Sequence, residues 1–253
     1  MPRFFVSREQ IDGNQAVITG GDVAHIGKVL RMSPGEELSI SDGEGTDYYC
    51  RITGIDREAV RLEIIGSWPS FSELPARIYL YQGLPKAGKM DTIIQKAVEL
   101  GVYKIIPVQM ARSVVRLDEK KESKKLERWQ GISESAAKQA GRAIIPEVSG
   151  CLTFAQAVQA CTGHDAVLLP YEKAEGMEAA RDLVRSLHGC REIGILIGPE
   201  GGFEESEVQL AVEAADAKTM SLGHRILRTE TAGMTVISIL MFELEEDRAE
   251  ENA

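Results

Sequence analysis

Residues 193–203 read IGILIGPEGGF, which predicts a buried strand, then a tight turn, then the start of a helix. Residues 193–197 carry no polar side chain, as is typical of a strand covered on both faces. Three glycines follow within residues 198–202. Because glycine lacks a Cβ, such a turn lets the backbone come close to a ligand and point N–H groups at it. The stretch therefore predicts an α/β fold with a binding corner at the end of a strand.

Residues 222–232 read LGHRILRTETA and predict a second corner, placed before an apolar helix. Helices usually begin with a polar cap, which accounts for Thr229 or Thr231. Arg225, Arg228 and Glu230 exceed what capping requires. Together the two corners predict one pocket built from loops.

Strands and helices alternate around these corners, from about residue 75 to residue 253. The pattern predicts strands at 78–81, 104–108, 165–169 and 218–221, and helices at 87–100, 123–140, 154–160, 178–187, 204–214 and 230–246. The helix at 87–100 has a core-facing stripe from Met90 to Val98, and Gly101 stands where a left-handed cap belongs. Repeating βα units predict a mostly parallel sheet with helices on both faces.

The last predicted helix is apolar on almost every side between Val236 and Leu244. Such a helix must be covered nearly all round. Its periodicity leaves two alternatives open: a central core helix, or a helix shared between the sheet and a second subunit.

Residues 1–70 show short period-two strands separated by turns at 33–36 and 42–45, and they predict a small β-barrel. One helix opens near Asp22, with Val23, Ile26 and Leu30 expected on one face. Residues 66–76 hold two prolines and no periodicity. We therefore expect two domains, at 1–70 and 75–253.

The formal net charge of −10 argues against a polyanionic partner, since nucleic-acid binding rests on clustered Lys and Arg. The average conceals basic groups near the N-terminus and from Arg112 to Arg142, while acidic residues crowd the C-terminal tail. The four cysteines are scattered and predict neither a disulfide framework nor a metal site. No membrane-spanning run or signal peptide is recognisable, so a cytoplasmic location is expected.

Common catalytic signatures are missing from the sequence. The glycine corner matches neither the G-x-x-x-x-G-K-[ST] phosphate loop nor the G-x-G-x-x-G spacing, which disfavours an ATPase or an ordinary dinucleotide enzyme. There is no G-x-S-x-G elbow, and of the four histidines only His224 lies inside a predicted corner.

The run LIGPEGGF at 196–203, followed by LGHRILRTETA at 222–232, resembles the SPOUT superfamily of S-adenosylmethionine-dependent RNA methyltransferases. Within it, the chain is similar to the ribosomal RNA small subunit methyltransferase E family, which methylates N3 of a uridine in 16S ribosomal RNA. Further segments that carry the resemblance lie at 25–32, 94–101, 111–115, 127–129 and 136–142. The likeness covers nearly the whole chain.

The resemblance implies a C-terminal α/β domain whose end is threaded into a trefoil knot, an exception to the rule that chains avoid threading. It implies a PUA-like N-terminal barrel that helps to bind RNA. It also implies a homodimer with the cofactor pocket beside the partner subunit, which favours an interface role for the last helix. The expected partner is 16S ribosomal RNA within the small subunit, with no metal and no membrane.

S-adenosylmethionine carries no phosphate, so the missing phosphate loop agrees with this resemblance. The resemblance assigns cofactor binding to three loops: Leu169 and Pro170; Leu196, Ile197, Gly198, Pro199, Glu200, Gly201 and Gly202; and Ser221, Leu222, Gly223, Ile226 and Leu227.

The acceptor N3 of uridine must lose a proton, which calls for a base or for donors that stabilise the resulting anion. Arginine cannot be the base, because its pKa exceeds ~12. We therefore assign Arg228 to anion stabilisation or orientation, and Glu230 to orientation or proton acceptance.

Basic residues are the candidates for RNA contact: Arg3, Arg8, Lys28 and Arg31 in the barrel, and Lys138 and Arg142 in the catalytic domain. Ordinary surface charge is the alternative for each. The competing functions are a non-catalytic dimeric RNA-binding protein, a 2′-O-ribose methyltransferase of the same superfamily, and another α/β nucleotide-binding enzyme.

Overall fold

A computed structural model describes residues 1–117, 119–174 and 176–245 of the 253-residue chain, excepting the side chains of 119–121. The chain divides into two compact units. The first contains Met1–Glu73 and Ala137–Ile145, and the second contains Leu74–Ala136 and the chain from Pro146 onward. Among the described residues, no helix combines the length and the apolar character needed to cross a bilayer.

The first unit is built on a curled six-stranded sheet in the order β1-β4-β5-β6-β3-β2. Two register shifts between β5 and β6 increase its local twist. Its core contains Phe4, Ile18, Ile26, Leu38 and Ile40. The strands are β1 (Arg3–Phe5), β2 (Ile11–Asp12), β3 (Gln15–Thr19), β4 (Glu37–Ser41), β5 (Thr46–Ile55) and β6 (Ala59–Pro69).

The helical segment between β3 and β4 differs from the helix that the sequence predicts. Helix α1 (Gly21–Ala24) continues into a π-helical turn at His25–Val29, in which the Leu30 N–H donates to the His25 carbonyl at 2.9 Å. Val23 and Ile26 are buried as expected, but Leu30 is 39% exposed. A π-turn spans one residue more than an α-turn, so the position four residues after Ile26 leaves the apolar face.

Residues 137–145 belong to the first unit although they lie far along the chain. The Ser41 hydroxyl donates to the Ala143 carbonyl at 2.9 Å, and Arg3 donates to the Gly141 carbonyl. The Arg142 guanidinium pairs with the Glu73 carboxylate, with Nη2 and Oε2 2.5 Å apart. The helical pattern at 123–140 contained no signal for these contacts.

Within its described residues, the second unit has one parallel sheet in the order β10-β8-β7-β12-β11-β13, with β9 also paired to β8. The predicted α/β class is confirmed. The strands are β7 (Arg77–Gly83), β8 (Lys104–Gln109), β9 (Glu147–Val148), β10 (Leu152–Thr153), β11 (Ala166–Pro170), β12 (Glu192–Ile197) and β13 (Lys218–Met220). The helices after α1 are α2 (Lys89–Glu99), α3 (Glu119–Ala140), α4 (Phe154–Cys161), α5 (Met177–Arg185), α6 (Glu205–Ala215) and α7 (Thr229–Leu244).

Helix α7 is covered on one side only. It packs against α2, α5, β7 and β12, and it buries Val236, Ile237 and Leu240. On the other side, Phe242 is 84% exposed and Ile239 is 37% exposed. The helix is therefore not the central core helix of the first alternative, because an apolar face stays open.

Gly131 lies on the exposed side of α3, and a Cβ placed there would meet no atom within 4 Å. Alanine loses less backbone entropy than glycine in a helix, so Gly131→Ala should raise the free energy of unfolding by about 0.5–1 kcal/mol. Chemical denaturation of the variant beside the wild type measures this difference. A decrease in stability would contradict the open surroundings of this position.

Candidate functional site

Four neighbouring strands of the second unit, β7, β12, β11 and β13, end at one edge of the sheet. In parallel α/β sheets, ligands bind beyond the carboxyl ends of the strands. The loops that leave this edge contain both corners predicted from the sequence, at 198–203 and 221–228. The Tyr171 N–H donates to the Met220 carbonyl at 3.0 Å, which links the ends of β11 and β13.

Glycines let these loops pack closely. A Cβ at Gly83 would lie 2.7 Å from the Pro199 backbone nitrogen, and one at Gly201 would lie 2.9 Å from the Arg112 Cβ. A Cβ at Gly198 would lie 3.2 Å from the Gly202 carbonyl carbon. The β12 corner thus folds back on itself and lies directly against the end of β7, an approach that larger residues would prevent.

A buried hydrogen-bond chain fixes the β12 corner to the start of α7. The Gln82 amide donates to the Thr229 hydroxyl at 2.9 Å, and that hydroxyl donates to the Gly198 carbonyl at 2.6 Å. Gln82 and Thr229 are both buried. Thr229 therefore holds the loop as well as beginning the helix, and capping alone did not predict this second role.

Charged side chains meet at the same edge. Lys89, the first residue of α2, places Nζ 3.1 Å from a Glu200 oxygen and 3.1 Å from a Glu230 oxygen. The Glu200 carboxylate also accepts the Lys86 backbone N–H at 3.0 Å. We call Lys89, Glu200 and Glu230 the ionic triad. It joins the loops after β7 and β12 to the first turn of α7.

The ionic triad shifts the pKa values of two of its members. Hydrogen bonds that the Lys89 amine donates to Glu200 and then to Glu230 raise the pKa of Lys89, so this amine stays charged at neutral pH. Burial raises the pKa of Glu200, but backbone N–H donors and Lys89 outweigh burial and lower it overall. Glu200 therefore stays ionised and retains its bond to Lys86.

The loop at 221–228 exposes an apolar surface beside these charges. The Gly223 N–H donates to the Ser221 hydroxyl at 3.2 Å, and Gly223 has a φ of +103°, which favours glycine. Leu222 and Leu227 are half-buried, and Ile226 is 90% exposed. An isolated Ile this exposed on a loop has room for a ligand or a partner against it.

The predicted cofactor and catalytic residues are distributed as follows. Leu169, Leu196 and Ile197 are buried strand ends, and Pro170 is half-buried. The turn at 198–202 and the loop at 221–227 lie at the same edge of the sheet. Arg228 is exposed just before α7, and Glu230 is half-buried in the first turn. The structure therefore brings the three loops to one edge together with Glu230.

Sequence reasoning missed several residues at this edge. Gln82 and Lys89 come from the end of β7 and the start of α2, and nothing in their local sequence pointed to the corners. The Arg112 guanidinium donates to the Gly201 carbonyl at 3.0 Å.

A groove of about 350 Å³ lies beside Arg112. It is lined by Arg112, Tyr171, Glu172, Lys173, Phe203, Glu204, Glu205 and Ser206. The described residues contain no group of three or more His, Cys, Asp or Glu arranged to hold a metal ion.

Three of the predicted RNA-contact residues have partners inside the first unit. Arg3 pairs with Asp47, and Lys138 Nζ lies 3.2 Å from Asp22 Oδ2. Arg142 is only 3% exposed and pairs with Glu73. These side chains support the packing of the unit.

The other three predicted RNA-contact residues are open to solvent. Arg8 is exposed and lies 3.5 Å from a Glu44 oxygen. Lys28 is exposed within the π-turn, and Arg31 is exposed two residues after its end with a φ of +55°.

The chain has clear relatives. The family described as RNA methyltransferase domain matches residues 72–241, and the family described as RNA methyltransferase PUA domain matches residues 18–65. The chain is 37% identical over 251 residues to ribosomal RNA small subunit methyltransferase E of Bacillus subtilis (strain 168), which covers 97% of this chain and 98% of the relative. Identity to the protein of that name from Mycobacterium tuberculosis (strain CDC 1551 / Oshkosh) is 32% over 238 residues, which covers 92% of this chain and 88% of the relative.

Solved structures agree with these relatives. Ribosomal RNA small subunit methyltransferase E of Neisseria gonorrhoeae, bound to S-adenosyl methionine, is 32% identical with a TM-score of 0.79, covering 96% of this chain and 97% of the other. A Legionella pneumophila protein in complex with the bound cofactor SAM is 31% identical with a TM-score of 0.79, covering 95% and 96%. In the sequence, an RNA methyltransferase PUA domain is followed by an RNA methyltransferase domain, and the chain belongs to the ribosomal RNA small subunit methyltransferase E family.

Proposed function

We propose that this protein transfers a methyl group from S-adenosylmethionine to N3 of a uridine in 16S ribosomal RNA of the small subunit. The single observation that carries the proposal is the closely packed loop edge that places Glu230 beside the glycine corner, in a chain of this family. Methyltransferase names among the relatives favour catalysis over a non-catalytic RNA-binding role.

The residues at the loop edge fit the proposed cofactor. A Cβ would fill the space at Gly83, Gly198 and Gly201. The turns can therefore lie this close to one another only because these positions have no side chain. Backbone groups of residues 198–202 and 221–223 can serve the polar atoms, and Leu222, Ile226 and Leu227 offer apolar surface to a ring. Leu169, Pro170, Leu196 and Ile197 form the base of the proposed site. When bound, S-adenosylmethionine supplies a methyl group attached to positively charged sulfur, a donor that needs no metal.

The chain's own contribution is to hold the uracil ring and to manage its N3 proton. In our proposal the Glu230 carboxylate orients the ring and accepts that proton. The Arg228 guanidinium donates to a flanking carbonyl oxygen and stabilises the negative charge that develops there. Arg228 is exposed, so it is free to reach a substrate, and Lys89 fixes the direction of Glu230.

Replacing Lys89 with methionine should lower kcat about tenfold, because Glu230 loses the partner that sets its direction and small misplacements are costly in catalysis. Lys89→Arg should retain most activity. Lys96→Met is the matched control on the same helix, since Lys96 pairs with Glu99 at 2.8 Å instead. Steady-state kinetics of the three variants decides; unchanged kcat in Lys89→Met would remove Lys89 from this role.

We further propose that the C-terminal part forms a trefoil knot and that the protein is a homodimer. The open face of α7 supports the dimer: Thr231, Met234, Thr235, Ser238, Ile239, Phe242 and Glu243 line a shallow, mostly apolar depression. A second copy of this helix would cover the exposed Phe242 and Ile239.

Phe242→Glu should convert the dimer to a monomer, because a carboxylate would then be buried without a partner. Sedimentation equilibrium measures the change. Leu210→Glu is the control, since Leu210 is 39% exposed but lies on α6. A wild-type monomer, or a Phe242→Glu dimer, contradicts the proposed interface.

We assign RNA contact to Arg8, Lys28 and Arg31 first, because they are exposed, and to Arg3, Lys138 and Arg142 second, because each has an internal partner. The proposed domains along the chain are 1–70 and 75–253, although residues 137–145 pack in the first unit. The proposed location is the cytoplasm. Binding that does not weaken as salt rises would argue against all six RNA contacts.

The decisive experiment incubates the protein with labelled S-adenosylmethionine and small subunits that lack the modification. The RNA is then digested, and the product nucleoside is identified by mass spectrometry. Label in N3-methyluridine supports the proposal. Label on the ribose identifies a 2′-O-methyltransferase, and no incorporation despite RNA binding identifies a non-catalytic binding protein.

A further inference from the structure

The π-turn of the first unit presents an unusual surface. His25–Val29 is anchored on one side by Ile26, which is fully buried, and by the His25 ring packed edge-on against Phe4 at 5.9 Å. The next turn ends at Arg31 in the left-handed region, with a φ of +55°. π-turns and left-handed non-glycine residues cost free energy and cluster at functional positions.

The opposite side of this turn carries two neighbouring aliphatic side chains in solvent. Val29 is 69% exposed and Leu30 is 39% exposed. Surface apolar residues are usually scattered singly, but these two are consecutive and are held out by the extra residue of the π-turn. We call Val29 and Leu30 the apolar pair.

Cations flank the apolar pair in the sequence. Lys28 precedes it and Arg31 follows it, and both are exposed. The acidic residues nearest in the chain are engaged elsewhere: Asp22 with Lys138 at 3.2 Å, and Glu36 with the Ser33 N–H at 2.6 Å. In the described part of the chain, no carboxylate lies within 4.0 Å of the Lys28 or Arg31 charge. This patch is therefore positive although the chain is acidic overall.

We propose that the apolar pair binds the exposed faces of unstacked bases, and that this surface selects unpaired RNA over duplex. This inference rests on the RNA-binding role proposed above, and it adds the class of RNA that the surface binds. The cations suit phosphates, and the RNA methyltransferase PUA match at 18–65 includes the whole segment. Aliphatic side chains find no partner on phosphates, whereas bases of single-stranded RNA turn outward and are read by contact with side chains.

The test measures affinity of the full-length protein for a short uridine-rich single-stranded RNA and for the same strand annealed to its complement, over a range of salt. The wild type should prefer the single strand. The double variant Val29→Ser with Leu30→Ser should lose about tenfold in affinity for the single strand, and thus its preference, with an unchanged salt slope, because less apolar surface is then buried against the bases. Lys28→Gln with Arg31→Gln should keep the preference but reduce the salt slope by about 1.4, since two phosphate contacts are lost at about 0.7 each.

Ile65→Ser is the matched control. Ile65 is 44% exposed in the same unit, but it lies on β6 and its neighbours in the sequence carry no charge. It should bind as the wild type does. Thermal melting confirms that each variant folds. A single-strand preference that persists after both serine replacements overturns the inference while RNA binding itself survives. Failure of the wild type to bind either RNA overturns this inference, while the proposed function is decided separately by methylation of small subunits.

Discussion

Replacing Glu230 with glutamine is expected to lower kcat for methyl transfer by about 10²–10³-fold, which is the usual effect of losing a positioned general base. Glutamine fills the same space but cannot accept the N3 proton. Affinity for S-adenosylmethionine should change little, since Lys89 retains its other partner, Glu200. Single-turnover kinetics together with cofactor titration by calorimetry separates the two quantities.

The pH dependence distinguishes proton acceptance from orientation. Without the carboxylate, hydroxide has to remove the N3 proton, so kcat of Glu230→Gln should rise in proportion to hydroxide concentration. Arg228→Ala should also lower kcat while keeping the wild-type pH profile, because an arginine that stabilises charge does not titrate in this range. If Glu230→Gln keeps the wild-type profile, Glu230 only orients the ring.

Glu213→Gln provides the control for Glu230→Gln. Glu213 is exposed on α6, and its carboxylate accepts from Gln209 Nε2 at 2.8 Å. This change should leave kcat near the wild-type value. Wild-type activity in both glutamine variants would falsify the assignment of Glu230.

Gly83→Ala is expected to weaken binding of S-adenosylmethionine at least tenfold. The added Cβ would lie 2.7 Å from the Pro199 nitrogen and 2.8 Å from its Cδ, and neither can move without moving the corner. Overpacking of this kind costs about 1–3 kcal/mol, and here the displaced atoms belong to the proposed cofactor loop. Calorimetric titration measures the affinity, and thermal denaturation measures the stability.

Gly88→Ala is the matched change five residues further on. Its Cβ would lie 3.7 Å from an Asp91 oxygen, an ordinary contact, so cofactor affinity should stay close to that of the wild type. Equal affinity in Gly83→Ala and the wild type would mean that the β12 corner does not need its close approach to β7.

Local sequence predicted much of the second unit because its signals are local. The apolar run at 193–197, the glycines after it and the stripe of α2 each lie within about a dozen residues, and β12 and α2 have the expected character. The prediction of the N-terminal helix was partly wrong. The periodicity argument assumes α-helical turns, whereas the π-turn moves Leu30 outward into solvent.

The parts that could not be predicted depend on distant partners. Lys89 meets Glu230, and Gln82 meets Thr229, 147 positions later, only because β7 and β12 are neighbours in the sheet. The pair of Arg142 with Glu73 depends on the return of residues 137–145 to the first unit. A count of basic residues cannot tell such an internal arginine from an exposed one such as Arg31.

The pairing of β7 with β12 also governs how the molecule reaches its native state. Arg77 of β7 lies opposite Glu192 of β12, so the chain between them must be made before the sheet's middle can close. Parallel pairing over such separations is slow, because loop closure is unfavourable until the contacts form. We therefore expect the N-terminal strands to acquire structure during synthesis, whereas the loop edge assembles only after the final helix has emerged from the ribosome.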